Sequence, residues 1–523
     1  QVRITDQQGS EHQLAALQEL NPTRGKPLEI DDSYPELDPI ELYAWFLGMT
    51  INWRNRGIFL KYYLTFPVEY HNDVKAKILA SFRRGLQRSL PETLLTDEAF
   101  NAFSVEALAS EPAAFAAAAL ERLKIEPTDG GVAYGVFDFG GGTTDFDYGF
   151  YRLPDDDELD EGWDHVIEHF GSSGDKFLGG ENLLENMAFL AFKDNQNICR
   201  QHEVAFTVPL DAQRFAGSEL LIDATQAAIT NTTLMMSILR PILERGTHNT
   251  ESAGTSNITL INRHGKTVSC DFSIKQEMLL QFLQERIREG LRNFFISLKV
   301  AFETHQNKLP ELIHILLAGN ASRSLIVLGL LGRLSDDEQA QTLHELFLAD
   351  VAEIFGDEAP DFEIHEPLNA DPEDPYAATA KTGVALGLLR LCKGETLKVV
   401  NHAQQNNADS PFQFFVGTHR RNIFNAAIQR GQTYQEWMEL GAIRQGVFPL
   451  LYTSSPQAAI AASMKRGDKG LLEQNLEFSG DTAGCKVFAQ VVSPNQIKLC
   501  TATTAEQANS SEANNVQILT LSL

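Results

Sequence analysis

The residues with the clearest chemical meaning are two acids and a threonine that flank three consecutive glycines. They occupy the segment Asp138-Phe139-Gly140-Gly141-Gly142-Thr143-Thr144-Asp145. Glycine lets backbone N–H groups approach an anion and converge on it, and carboxylate oxygens are good ligands for Mg²⁺. The segment is therefore predicted to bind phosphate together with magnesium, with Asp138 holding the metal directly or through water.

A tight β-hairpin would bring these residues together. The apolar run from Gly135 to Phe139 predicts a buried strand, and a second strand follows the glycines. In that strand Phe146 and Tyr148 alternate with Asp145 and Asp147, which predicts one apolar and one acidic face. From the three glycines alone, a surface hairpin without a ligand is an equally good interpretation.

The full pattern Asp-x-Gly-Gly-Gly-Thr-x-Asp is more specific. It resembles the second phosphate-binding loop of the actin, sugar-kinase and heat-shock-chaperone superfamily, and it looks most like the seventy-kilodalton chaperones. The resemblance implies an α/β, two-lobed actin-like (ribonuclease-H-like) ATPase fold that binds ATP or ADP with Mg²⁺. It also implies that Asp138 and Asp145 organise the metal, through water at Asp138, and that Gly140, Gly141, Gly142 and Thr143 bind the phosphates.

Two further segments resemble parts of the same nucleotide site. Ser110-Glu111-Pro112 is similar to the family segment that precedes the second phosphate loop, which implies that Glu111 faces the metal and orients the lytic water. The implied catalytic set is thus Glu111, Asp138, Thr143 and Asp145. The turn Gly179-Gly180-Glu181 resembles the glycine turn that starts a helix beside the nucleotide, where the helix N-terminus favours anions.

The second half of the chain carries two more resemblances. Gly319, Asn320 and Arg323 resemble the adenosine motif, in which the glycine turn supports the nucleoside and the arginine stacks on the base. The small-residue segment from Ala380 to Leu389 resembles the second interlobe helix, which crosses the helix that begins at Glu111. Close crossing of two helices at a hinge requires small residues.

Two family elements are not found in the sequence. The first phosphate loop and the catalytic lysine do not occur before the first predicted subdomain, and the adenine clamp cannot be placed. We therefore expect ATP hydrolysis only if the intact protein supplies that loop. The alternative is a nucleotide-independent or ATPase-dead scaffold or regulator with an actin-like fold. A sugar kinase is a weaker third option.

Composition narrows the class of partners. The chain has 523 residues and a formal net charge of −27. Such an acidic chain is not expected to bind nucleic acid or anionic membrane, and the longest apolar stretch, from Ser324 to Leu331, is too short to span a bilayer. Five scattered cysteines without metal spacing favour free thiols in a cytoplasmic protein.

Two domains are expected. Residues 1–393 form the nucleotide-binding domain, with a mobile subdomain at about 195–292 that includes a helix around 219–243, which Pro241 could interrupt. An earlier helix after Asp38 is expected to face the core through Leu42, Trp45, Phe46 and Met49. Residues 394–523 form a β-rich domain of short strands, expected as a sandwich. The resemblance implies that this domain binds unfolded or partner polypeptide.

Overall fold

The computed structural model describes residues 38–522, together with the short strands Arg3–Thr5 (β1) and Glu11–Gln13 (β2). The longest gaps within the main range are 246–254 and 403–411, and the others span one to three residues. The chain folds as a mixed α/β structure followed by a β-rich region, as expected. In the described part, no helix has the length and apolarity to cross a membrane.

A six-stranded mixed sheet forms the centre of the α/β part. Its strands are β5 (Val132–Phe139), β6 (Thr144–Arg152), β7 (His165–Asp175), β10 (Leu312–Ala318), β11 (Asp361–His365) and β12 (Leu397–Asn401). The order across the sheet is β11-β10-β5-β6-β7-β12. The pairs β5–β6 and β6–β7 are antiparallel, whereas the other three pairs are parallel.

Helices cover both faces of this sheet, and the central strands β5 and β6 are therefore buried on both faces. One face packs against α4 (Glu111–Arg122) and α12 (Gly383–Arg390). The other face packs against α6 (Gly180–Asp194) and α9 (Gln276–Gln306), where Phe137 and Phe146 stack and Phe294 meets both rings edge-on. Phe146 and Tyr148 are fully buried on this second face, as their alternation with the acids predicts.

A smaller helical layer precedes the central sheet. It contains α1 (Pro39–Arg54) and α2 (Asn72–Arg88), and a parallel pair formed by β3 (Lys61–Phe66) and β4 (Ser104–Ser110). The expected apolar face of α1 is wrong for Phe46, which is 66% exposed, and for Met49, which is also exposed, whereas Leu42 and Trp45 are half-buried. The helix instead packs through Ala44 and Gly48, because small residues allow α1 to approach α2 closely.

The region expected to form a mobile subdomain is an α-helical layer with one hairpin. It comprises α7 (Gln196–His202), α8 (Gln226–Arg245), and the antiparallel strands β8 (Thr255–Ile261) and β9 (Thr267–Ser273). Helix α8 starts later than expected and continues through Pro241 without ending. The remaining α-helices of the described residues are the 18-residue α11 (Glu338–Phe355) and the short helices α3 (Glu92–Leu95), α5 (Asp156–Asp160), α10 (Leu325–Leu330) and α13 (Ala505–Ala508).

The β-rich region contains two four-stranded antiparallel sheets that share one core. The first has the order β14-β13-β16-β17 and the second the order β15-β18-β19-β20. Their strands are β13 (Phe415–Arg420), β14 (Ile423–Ile428), β15 (Trp437–Ala442), β16 (Val447–Thr453), β17 (Leu472–Glu477), β18 (Lys486–Ser493), β19 (Gln496–Ala502) and β20 (Asn514–Thr520). Val416 and Leu450 of one sheet and Val487 and Leu499 of the other belong to the same buried cluster. The expected sandwich is therefore present.

Candidate functional site

The three glycines close the predicted hairpin between β5 and β6. Asp138 and Asp145 are directly opposite each other in the strand register, and Gly140 N–H donates to the Thr143 carbonyl at 3.0 Å. The turn itself is partly exposed, while both acids are buried. The hairpin therefore holds two carboxylates at the base of an accessible loop.

Three backbone donors of this turn are unused. Among the described residues, the N–H groups of Gly141, Gly142 and Thr143 donate no hydrogen bond. Successive free N–H groups in a turn form a concave, positively polarised surface that suits an anion. The glycine turn thus has the local electrostatics of a phosphate-binding loop.

The second predicted glycine turn packs directly against the first. Gly180 N–H donates to the Gly140 carbonyl at 3.0 Å, and Glu181 N–H donates to the Gly141 carbonyl at 2.7 Å. A Cβ at Gly179 would lie 2.3 Å from the Gly142 carbonyl carbon, so only glycine fits there. Two segments that the sequence separates by nearly forty residues are thus parts of one structure.

The acids flanking the turn have the chemistry that a divalent cation requires. Asp138 is 9% exposed, and burial, together with the nearby charge of Glu111, raises its pKa to about 7. Burial also raises the pKa of Glu111, the first residue of α4. The Thr143 hydroxyl donates to Asp145 Oδ2 at 3.1 Å. These hard oxygen ligands fit Mg²⁺, and a bound cation would offset the cost of burying two carboxylates together.

The predicted adenosine turn reaches the same end of the sheet. Gly319 follows β10, has a φ of +76°, and leaves no space for a side chain, since its Cβ would lie 2.7 Å from Asp138 Oδ1. Asn320 is exposed beside it. The Arg323 guanidinium donates to the Leu368 carbonyl at 2.8 Å, so contact with a base would require this bond to be shared or exchanged.

The predicted helix crossing is present. A Cβ at Gly387 of α12 would lie 1.6 Å from the Ala114 carbonyl oxygen of α4, and one at Gly383 would lie 2.7 Å from the Phe115 ring. Helix α4 carries Glu111 at its start, where the Ser110 hydroxyl accepts from Ala113 N–H. The crossing therefore fixes the position of α4, the helix that carries Glu111 close to Asp138.

Two polar partners of the site were not predicted. Arg240 of α8 donates to both carboxylate oxygens of Glu181, at 2.8 and 3.0 Å. The Asn182 side chain donates to the Gly142 carbonyl at 2.8 Å. Asn182 immediately follows the predicted Gly-Gly-Glu turn and could have been included, whereas no local pattern identifies Arg240, because it comes from a helix distant in sequence.

A groove of about 880 Å³ lies elsewhere on the α/β part. It is bounded by the end of α4 and by β11 with the segment that follows it, and its lining includes no residue of the predicted site. The comparison with protein-family models and the comparison with curated proteins both find no match for this chain.

Proposed function

We propose that this chain is an actin-like, heat-shock-chaperone-type protein that binds ATP or ADP with Mg²⁺ at the β5–β6 turn. The observation that carries the proposal is the run of three unused N–H donors, Gly141 to Thr143, in the turn that joins the strands bearing Asp138 and Asp145. Free donors attract phosphate oxygens, while buried acids attract the metal that accompanies them.

The role proposed for each side chain follows from its place in the site. Asp138, with Glu111 close enough to perturb it, would hold Mg²⁺ through water, and Thr143 fixes the orientation of Asp145. The metal would neutralise phosphate charge when bound. Glu111 lies at the start of a rigidly packed helix, a suitable place for a group that orients water. Arg240 adds a cation beside the glycine turns.

The fold supports the proposal at the level of topology. The adenosine turn after β10, the phosphate turn after β5 and the Gly179–Gly180 turn all lie at one end of the central sheet. Helices α4 and α12 cross tightly beside that end, as the interlobe helices of the resembled family do. The smaller layer built from α1, α2, β3 and β4 would form the other side of the nucleotide cleft.

Coupling to the β-rich region is the second part of the proposal. Arg430 of that region donates to the Ser173 hydroxyl of β7 at 2.8 Å, and the short helix Pro456–Ala459 packs against α9. Ser173 lies six residues before Gly179. Movement of the Gly179–Gly180 turn on nucleotide binding would therefore reach the β-rich region. We propose that this region engages unfolded or partner polypeptide.

Calorimetric titration of Mg-ATP into the full chain tests the proposal. We expect saturable binding that requires Mg²⁺ and is weakened on the order of tenfold or more in Asp138→Asn, because that variant removes a charge-assisted contact. Asp357→Asn, at an exposed acid in a short helix remote in sequence from the site, is the matched control and should bind normally. Equal binding by all three proteins would reject the assignment of the site.

One observation favours the alternative of a nucleotide-independent scaffold. The first N–H groups of α6, from Gly180 and Glu181, are already bonded to the glycine turn and are not free for a phosphate. If the titration gives no heat and Mg-ATP gives no thermal shift, the chain is better described as a scaffold or regulator. Hydrolysis is expected only when a first phosphate loop completes the site.

A further inference from the structure

We propose that His314, Glu363 and His365 form a binding site for a divalent transition-metal ion of the Zn²⁺ type. The three residues lie on the neighbouring parallel strands β10 and β11. The register pairs His314 with Glu363 and Leu316 with His365. Because side chains alternate with period two along a strand, all three project from the same face of the sheet.

The ligand atoms are close enough to share one ion. His314 Nδ1 lies 2.9 Å from His365 Nε2 and 3.4 Å from a Glu363 carboxylate oxygen, and His365 Nε2 lies 3.9 Å from the other oxygen. Tetrahedral zinc with ligands at about 2.0–2.2 Å separates them by roughly 3.3–3.6 Å. Side-chain adjustments of a few tenths of an ångström would convert the cluster into a coordination set.

The protonation state of the cluster also suits a metal. The 2.9 Å hydrogen bond between His314 Nδ1 and His365 Nε2 needs one nitrogen that donates and one that accepts, so one of the two rings presents a free lone pair. Glu363 adds a negative charge that partly compensates a cation.

The site is open on one side. Glu363 and His365 line the groove of about 880 Å³, and the Glu363 side chain is 55% exposed. Two histidines and one carboxylate with an open position are typical of non-structural metal sites, where water or a substrate completes the coordination. Ala318, which directly precedes the turn at Gly319, is four residues beyond His314, roughly 13 Å along the strand. This site is therefore distinct from the proposed nucleotide site.

A second cluster near the opposite edge of the sheet, built from β7, α9 and the residue that follows β12, serves as an internal comparison. Glu168, His305 and His402 also place ligand atoms within reach of one another. Their environment is less favourable, because Arg152 donates to Glu168 at 2.5 Å and the His305 ring stacks on Phe170 at 4.1 Å. A guanidinium already neutralises the carboxylate there, so a metal would have to displace it.

Titration of Zn²⁺ and Co²⁺ into the purified, chelator-treated full chain tests the proposal. We expect one tight equivalent, with the absorption spectrum of tetrahedral or five-coordinate Co²⁺. His314→Ala and His365→Ala should each weaken binding on the order of 100-fold, since even outer partners of metal ligands contribute 10- to 100-fold. Glu363→Gln, at an exposed position that should not disturb folding, should weaken it by about tenfold.

His402→Ala and His264→Ala are the controls, and both should bind like the unmodified chain. His402 reports on the second cluster and the exposed His264 on adventitious surface binding. Circular dichroism of the metal-free variants separates loss of a ligand from loss of fold. Unchanged binding in Glu363→Gln and in a folded His365→Ala, or loss of binding only in His402→Ala, would overturn the proposal.

Discussion

Besides burial, the charge of Glu111 raises the pKa of the Asp138 carboxyl group, although 27 positions separate the two residues in the sequence. This electrostatic interaction links the first residue of α4 to the end of β5. Burial is the larger cause of the raised pKa of Asp138, and the charge of Glu111 adds to it. Without a cation, this pair makes the folded state increasingly costly as both acids ionise.

The contribution of Asp138 to the free energy of unfolding should therefore decrease as pH rises. The pKa of Asp138 rises from 3.8 in the unfolded chain to about 7 in the fold, so the folded state binds more protons between these values. Its contribution to the free energy of unfolding decreases from about pH 4 to pH 7, by at most about 4 kcal/mol. Asp138→Asn should remove this dependence, and urea unfolding from pH 4 to 8 measures it.

The decisive comparison is between variant and unmodified chain at each pH. The stability gained by Asp138→Asn should be larger at pH 8 than at pH 4, whereas Asp357→Asn should show no such trend. A constant difference between Asp138→Asn and the unmodified chain across this range would show that Asp138 ionises normally. Excess Mg-ATP should reduce the difference, since bound metal stabilises the ionised carboxylate.

Alanine at Gly179 should destabilise the protein, because its Cβ would clash with the backbone of Gly142. The loss should be about 1–3 kcal/mol in the free energy of unfolding, as for other overpacked sites. Gly142→Ala is the matched control, since no atom lies within 4 Å of a Cβ there, and it should change stability by less than about 1 kcal/mol. Equal effects in urea unfolding would mean that the two turns do not pack together.

Alanine at Gly387 should destabilise the helix crossing. Its Cβ would lie 1.6 Å from the Ala114 carbonyl oxygen, so α12 must move away from α4. We expect a loss on the order of 3 kcal/mol, despite the roughly 1 kcal/mol by which alanine favours a helix over glycine. Gly329→Ala in α10, where neighbours lie at ordinary contact distance, should be tolerated. Thermal unfolding of both variants checks this, and a stable Gly387→Ala would contradict the close crossing.

Arg430→Gln should weaken communication between the two regions while leaving nucleotide affinity within about twofold. The change shortens the side chain that donates to Ser173. Hydrogen exchange with and without Mg-ATP is the measurement, and the expected result is loss of the nucleotide-dependent protection of β13 to β16. Arg466→Gln is the control, because its partner Glu473 lies within the β-rich region. Identical protection in Arg430→Gln and the unmodified chain would contradict a role for this contact.

Local pattern was sufficient for much of the fold. The alternation around Phe146 predicted the hairpin and its buried face, and the glycine turns predicted where α6 begins. The small-residue segment from Ala380 to Leu389 predicted a close helix crossing, which Gly387 makes with α4. The signal for the hairpin, the helix start and the small-residue helix lies in each case within about ten consecutive residues, so it can be seen in the sequence.

The features that the sequence did not predict depend on packing between segments that are distant in the chain. Helix α1 buries Ala44 and Gly48 and leaves Phe46 exposed, because approach of the α2 backbone outweighs the size of the apolar side chains. Strand β17 is polar and mostly exposed, and β14 and β15 do not alternate regularly between buried and exposed residues, so all three give a weak signal. The pairing of His314 with Glu363 needs the register of β10 against β11, which no local pattern specifies.

The edge strand β12 has a mechanical consequence. It lies between α12 and the β-rich region in chain order, and it is hydrogen-bonded to β7, the strand that also carries Ser173. The ladder therefore anchors the chain at β12 before the sandwich begins. Two lateral contacts also join the α/β part to the sandwich, Arg430 with Ser173 of β7 and the short helix Pro456–Ala459 with α9, so a displacement in the α/β part has routes to the sandwich that bypass β12.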